Sequence, residues 1–251
     1  MYRIALAALA AVIIIVSPAA APRAQDNSLT RSDVETIIRE YLLANPELLE
    51  EVFAELQAKR QVEADAARLD QLERHREALE NSPLDPVLGN PEGDVTLVEF
   101  FDYNCGFCRR ALEDIEVLLA EDPDLRIVLK EFPVLGSQSM EAATVSIAVH
   151  HLAPDRFAEF HEVLMTHEGT ADRNTALEVA EGLGLSRADV EAAAEEPVVR
   201  QTVEQSYEIA QALGLTGTPS FVVGDNVEFG AVGVEALRES INETRCGEIV
   251  C

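Results

Sequence analysis

Two cysteines separated by two residues, Cys105-Gly106-Phe107-Cys108, carry the residue types and spacing best suited to chemistry in this chain. They follow an apolar run, Val95–Phe101 (VTLVEFF), and open a stretch of helical periodicity. A strand that runs into a helix puts the first cysteine at the helix N-terminus, where unpaired backbone N–H groups and the helix dipole favour a thiolate. The thiolate is the nucleophile of disulfide exchange, so such a cysteine reacts near neutral pH. Cys108 follows one turn later on the same helical face, placed to close onto the first sulfur and expel what it has captured. Two other readings stand beside this one. Half of a zinc site would need two more ligands, because structural zinc takes four. A purely structural disulfide would leave the strand-to-helix placement unexplained.

A second signal is Thr218-Pro219, just before the apolar run Phe221–Val223. Proline is excluded from strand interiors and tolerates a cis peptide far better than other residues. A cis proline here would lay its backbone against the CxxC helix and leave an edge for an extended substrate peptide. A trans proline that merely starts a strand is the alternative.

The elements around these residues follow from patterning. Val95–Phe101 is expected as a strand, Cys105–Leu119 as a helix and Leu125–Glu131 (LRIVLKE) as a second strand, paired in parallel through a right-handed crossover. Residues 139–213 lack strand signals. Helix starts at Ser139, Pro154, Asp172, Ser186 and Pro197, with stops at Gly184 and Gly214, predict four or five short helices. A hairpin follows, Phe221–Val223 and Val227–Phe229 about a Gly224-Asp225-Asn226 turn, then a helix from Val234 to about Glu243. The fold class expected is α/β, βαβ then ββα, with a helical insert.

Residues 30–80 are helical in pattern and rich in charge. Ser32-x-x-Glu35 predicts a capping box, and Asn45-Pro46 restarts a helix that continues to about Glu80. Leu48, Leu49, Val52, Phe53 and Leu56 form a stripe, thinning to Val62, Leu69, Leu72 and Leu79. A lone helix of this kind cannot bury enough to hold itself, so it packs on a neighbouring domain or on copies of itself. Self-association is the reading adopted. Ser82-Pro83, Asp85-Pro86 and Gly89-Asn90-Pro91 break the pattern and read as a linker.

The chain has 251 residues, 47% of them apolar, and a net charge of −27 from 46 acidic and 19 basic side chains. That imbalance excludes nucleic acid and anionic membrane surfaces as partners, since both need clustered Lys and Arg. Arg3, the apolar stretch Ile4–Val16 and the small residues of Ser17–Ala24 read as a secretory signal peptide, too short to span a bilayer comfortably. The expected organisation is a signal peptide at 1–24, a helical stalk at 25–82 and a catalytic domain at 83–251 with its insert at 139–213. The expected location is a bacterial periplasm, an oxidising setting for cysteines.

The segment Glu99-Phe100-Phe101-Asp102-Tyr103-Asn104-Cys105-Gly106-Phe107-Cys108, with Thr218-Pro219-Ser220-Phe221 downstream, resembles the DsbA-like branch of the thioredoxin superfamily. The long insert fits that branch. The N-terminal helices are similar to the stalk of the ScsC (suppressor of copper sensitivity protein C) family, in which some members trimerise and act as disulfide isomerases. The resemblance implies a thioredoxin-like fold, Cys105 as attacking thiol, Cys108 as resolving thiol, Pro219 as the cis proline and Thr218 as the residue before it that faces the active site. It implies that Glu99 is the buried acid beneath the site, and Lys130 is a candidate ion-pair partner for it. It also implies exported substrate proteins bearing disulfides or thiols, a membrane redox partner and a homotrimer. Gly-Phe between the cysteines replaces the Pro-His of DsbA, so the Cys105 pKa is expected between ~3.5 (DsbA) and ~7 (thioredoxin).

Cys246 and Cys251 suggest a small local disulfide, with a relay to Cys105 or free thiols as alternatives. His150, His151, His161 and His167 are not at ligand spacing, and no metal or cofactor is expected. The function expected is thiol–disulfide interchange, isomerase or reductase. A monomeric dithiol oxidase and a non-enzymatic copper-binding or holdase protein are the competing readings.

Overall fold

The structure is a computed structural model and describes residues 29–251. The expected signal peptide at 1–24 lies outside the described residues. The chain divides into two compact units, the first ending at Ala58 and the second beginning at Lys59. This division falls within a helix rather than at the Ser82–Pro86 break.

The first unit contains α1 (Arg31–Ala44) and the start of α2 (Glu47–Glu80). The capping box opening α1 is Thr30 with Asp33, not Ser32 with Glu35. Thr30 Oγ1 accepts from the Asp33 amide at 3.2 Å, and the Asp33 carboxylate accepts from the Thr30 amide at 3.0 Å. Ser32 and Glu35 lie inside the helix, where the Ser32 carbonyl accepts from Thr36 and Glu35 pairs with Arg31. Ile37, Ile38, Tyr41, Leu43, Leu49, Val52, Phe53 and Leu56 are all exposed.

The second unit is built on a five-stranded sheet of order β1-β3-β2-β4-β5 among the described residues. β2 (Val95–Phe101) and β3 (Leu125–Glu131) pair in parallel, residue for residue, with Glu99 opposite Leu129 and Phe100 opposite Lys130. β4 (Ser220–Val223) runs antiparallel to β2, and β5 (Asn226–Phe229) runs antiparallel to β4. β4 therefore has both edges occupied, by β2 and β5. β1 (Val87–Gly89) adds an antiparallel edge to β3, inside the stretch expected as linker.

Alternation along a strand divides the core in two. On one face Val95, Leu97, Phe101, Leu125, Ile127 and Leu129 pack with α3 (Gly106–Glu121), α9 (Val234–Cys246) and the insert. On the other, Val98, Phe100 and Val128 pack with Leu72 and Leu79 of α2 and with Ile209 and Leu213 of α8 (Pro197–Leu213). Leu72 and Leu79 are fully buried, each contributing about 2 kcal/mol of apolar burial. This part of α2 is thus tied to the sheet, whereas Val62 and Leu69 stay exposed.

α3 forms because Cys108, Ala111, Leu112, Ile115 and Leu118 recur at helical spacing and bury one face. The insert comprises α4 (Ser137–Leu152), a 3-10 turn at Pro154–Arg156, α5 (Phe157–Met165), α6 (Arg173–Gly182), α7 (Arg187–Ala194) and α8. Asp172 and Ser186 cap α6 and α7 by accepting from backbone amides three residues on. Gly214, at φ 73, ends α8 in the left-handed conformation that glycine adopts most readily. No helix among the described residues is long and apolar enough to cross a membrane.

Candidate active site

Cys105 is the N-cap residue of α3, with extended backbone (φ −85°, ψ 112°) and no side-chain cap bond. The loop before it is fixed by Asp102. Its carboxylate accepts from the Asn104 amide at 2.8 Å and the Leu135 amide at 3.0 Å, and its carbonyl accepts from the Cys105 amide at 2.9 Å. Both cysteines are free thiols. Cys105 is 6% exposed and Cys108 1%, so the second sulfur lies deeper.

Thr218-Pro219 is a cis peptide. The turn brings the Thr218 carbonyl to 3.2 Å from Cys105 Sγ, which donates to it as a thiol. That bond favours the neutral thiol. Thr218 Oγ1 is buried without a partner, a donor that the thiolate can use. The Pro219 carbonyl is already taken by the Gly230 amide at 2.9 Å.

The two sulfurs are driven apart in acidity. The bond donated by the Cys108 thiol, with help from Thr218 and the Cys108 and Phe107 amides, holds Cys105 down to about 5 against the burial that opposes ionisation. This lies inside the expected window between DsbA and thioredoxin. Burial pushes Cys108 far above the ordinary thiol range, reinforced by its bond to Cys105 and by the Glu99 charge. Glu99, 2% exposed, is raised to about 8 by burial first and the Cys105 charge second. Cys105, Cys108, Thr218, Pro219 and Glu99 are therefore gathered at one place.

Lys130 is not. Odd-numbered residues of β2 and β3 face the α3 side and even-numbered ones the α2 side, so Glu99 and Lys130 point to opposite faces of the sheet. Lys130 pairs instead with Asp85 and donates to the Ala78 carbonyl at 2.6 Å. The pair ties the end of α2 and the following turn to the central sheet. Burial lowers Lys130 and raises Asp85, each opposed by the charge of the other.

Residues not foreseen also shape the site. The Asn104 side chain donates to the Ala171 carbonyl and accepts from its amide, both at 2.8 Å, joining the active-site loop to the insert. A polar residue directly before the first cysteine was the available signal. Tyr103 Oη lies 2.7 Å from Ser146 Oγ and 3.1 Å from His161 Nδ1 in the buried core beneath. Burial drives His161 down to about 3, so it is neutral there. Cys246 and Cys251 form a disulfide. Arg245 beside it pairs with Asp94, just before β2, and Asp122, just after α3. That is the far end of α3 from Cys105, roughly 24 Å of helix away. The placement gives the tail disulfide no direct path to Cys105.

A strand-to-helix CxxC, with its outer sulfur against a cis-proline turn and a buried acid beneath, defines a thioredoxin-fold redox protein. Residues 96–242 match the DSBA-like thioredoxin domain, and the chain belongs to this family of thiol–disulfide oxidoreductases. Residues 31–63 match the copper resistance protein ScsC N-terminal domain, so the N-terminal helices are of the ScsC kind. A thioredoxin-like oxidoreductase from Silicibacter pomeroyi DSS-3 is 42% identical, with a TM-score of 0.65 over 68% of this chain and 97% of that one. The catalytic domain of Proteus mirabilis ScsC is 25% identical, with a TM-score of 0.65 over 70% of this chain and 98% of that one. The Na(+)/H(+) antiporter NhaA 1 of Salinispora arenicola is 29% identical over 173 residues, which are 66% of this chain. The match spans 26% of that antiporter's length.

Proposed function

We propose that the protein is an exported, periplasmic disulfide isomerase or reductase that works as a homotrimer. Residues 1–24 direct export, 25–82 form the stalk and 83–251 the catalytic domain. The observation that carries the reading is the acidity split at Cys105 and Cys108: the outer sulfur ionises at about 5 and the inner one stays a thiol. The Cys105 thiolate attacks a substrate disulfide. A Cys105–substrate bond forms, and the expelled substrate sulfur takes the electron pair and a proton. Either that sulfur re-pairs within the substrate, which is isomerisation, or Cys108 attacks the mixed disulfide and releases reduced substrate. Glu99 is held protonated partly by the Cys105 charge; the mixed disulfide removes that charge, and Glu99, once ionised, is the group that receives the Cys108 proton in the second route. Catalytic roles for Cys105, Cys108, Thr218, Pro219 and Glu99 belong to this proposal; Lys130 is left with a structural role.

The exposed apolar side chains of the first unit support self-association. Isomerisation needs Cys105 reduced, hence a membrane redox partner that supplies electrons. The test is Cys105→Ala in refolding of scrambled ribonuclease and in insulin reduction, with mass in solution measured alongside. Loss of both activities and a trimeric mass are expected. Activity that survives the substitution refutes the enzyme, and a monomeric mass with oxidase activity favours a monomeric dithiol oxidase.

A further inference from the structure

A polar pocket of about 400 Å³ opens beside Cys105, lined by both neighbours of the cysteine and by neither Thr218 nor Pro219. Its wall includes Asn104 and Gly106, the residues on either side of the cysteine, together with Arg109, Gln138, Ser139 and Thr170. Arg109 is the single cation of the wall, and no Asp or Glu lines it, although the chain carries 46 acidic residues. One end of the guanidinium is anchored, Nη2 donating to the Gly169 carbonyl at 3.1 Å. Its Nε is buried with no hydrogen-bond partner. A buried donor left unsatisfied is costly, and a charged one most of all. Gly106 opens α3 and Gln138 and Ser139 lie in the first turn of α4, and neither helix has a side-chain cap, so free backbone donors accompany the guanidinium.

We infer that this pocket receives a carboxylate carried by the disulfide substrate next to its reacting cysteine. The inference rests on the exchange chemistry proposed above. A molecule whose sulfur reaches Cys105 presents its neighbouring groups to a wall made of the residues flanking Cys105. A carboxylate there gains the charge of the Arg109 guanidinium, whose Nε finds no partner within the protein, and amide donors. It also finds a local cationic site on a molecule whose net charge of −27 repels anions at longer range. With glutathione disulfide as substrate the step balances. The Cys105 thiolate bonds one glutathione sulfur and the other leaves as thiolate. Cys108 then displaces the first, giving the Cys105–Cys108 disulfide and two reduced glutathiones.

The test compares oxidation rates of the reduced full chain by glutathione disulfide, which carries carboxylates, and by cystamine, which carries only ammonium groups. Arg109→Gln is expected to lower the glutathione-to-cystamine rate ratio about fivefold, the size of an exposed to half-buried charge pair. Gln138→Glu, which puts a like charge into the pocket, lowers it similarly. Arg110→Gln serves as the field control, because that guanidinium lies over the Phe107 ring, 4.5 Å from its centroid and outside the pocket wall. It should change the ratio less than twofold. An unchanged ratio in Arg109→Gln, or an equal fall in Arg110→Gln, overturns the inference while leaving exchange intact. A wild-type chain that reacts with neither disulfide overturns the exchange chemistry and the inference together. A peptide disulfide with Asp beside cysteine that shares the Arg109 dependence assigns the pocket to protein substrates. Dependence confined to glutathione assigns it to the small thiol.

Discussion

Replacing Glu99 by Gln should change how stability depends on pH, and the structure fixes both sign and size. The folded-state pKa of Glu99 is raised from 4.5 to about 8, chiefly by burial. Between those values the folded chain holds a proton that the unfolded chain releases, so this group's contribution is complete below 4.5 and lost as pH rises through 8. At 1.36 kcal/mol per tenfold change in proton affinity, Glu99 costs the dithiol form about 3–4 kcal/mol between pH 5 and 8. Cys105 acts in the opposite sense, because its pKa is lowered from 9.0 to about 5 and its thiolate stabilises the folded dithiol as pH rises. Cys105 thus offsets Glu99 over this range, and because burial also raises Glu131 and Asp85 in both proteins, it is the contrast with the variant that isolates Glu99. Gln keeps the shape and does not titrate. Urea unfolding of both reduced proteins from pH 5 to 8 should show Glu99→Gln gaining on wild type by about 3–4 kcal/mol across that range. A difference that stays constant with pH would refute the placement of a neutral, buried carboxyl beneath the cysteines.

Two further outcomes follow from the geometry. Lys130→Met leaves Asp85 buried without its cation and should destabilise the fold by about 3–5 kcal/mol in denaturant unfolding, yet leave the Cys105 alkylation profile unmoved, since the pair faces the opposite side of the sheet. A matching shift in the Cys105 profile would show that Lys130 does act on the site. The double variant Cys246→Ser/Cys251→Ser removes a disulfide closing a loop of sequence separation 5. It should lower stability by about 2 kcal/mol or less and leave insulin reduction intact, and loss of that activity would reinstate the relay.

The strands flanking the active site were legible because β2 and β3 are runs of seven residues rich in Val, Ile, Leu and Phe that begin directly after Asp94 and Asp124, and their observed bounds are Val95–Phe101 and Leu125–Glu131. The same two runs held the answer to Lys130. Aligned residue for residue they set Glu99 and Lys130 on opposite faces, so parity alone argues against their pairing. The true partner, Asp85, sat in a Pro-rich break, where an acid reads as a turn residue; only the fold brings it to the sheet. β1 escaped notice because three residues carry no periodicity. The α1 start offered two overlapping frames, Thr30-x-x-Asp33 and Ser32-x-x-Glu35, which pattern cannot separate. At the site, the CxxC spacing and the Thr-Pro pair named four residues directly. The pocket beside Cys105 was invisible, because Asn104, Arg109, Ser139 and Thr170 meet only through tertiary packing.

Disulfide exchange by this protein requires Cys105 ionised at the head of α3 while Cys108 keeps its proton. The rate of Cys105 alkylation by iodoacetamide, followed against pH on the reduced full chain, reads this directly. A single midpoint near 5 is the predicted result. A midpoint at or above the ~8.5 of an ordinary cysteine would contradict it.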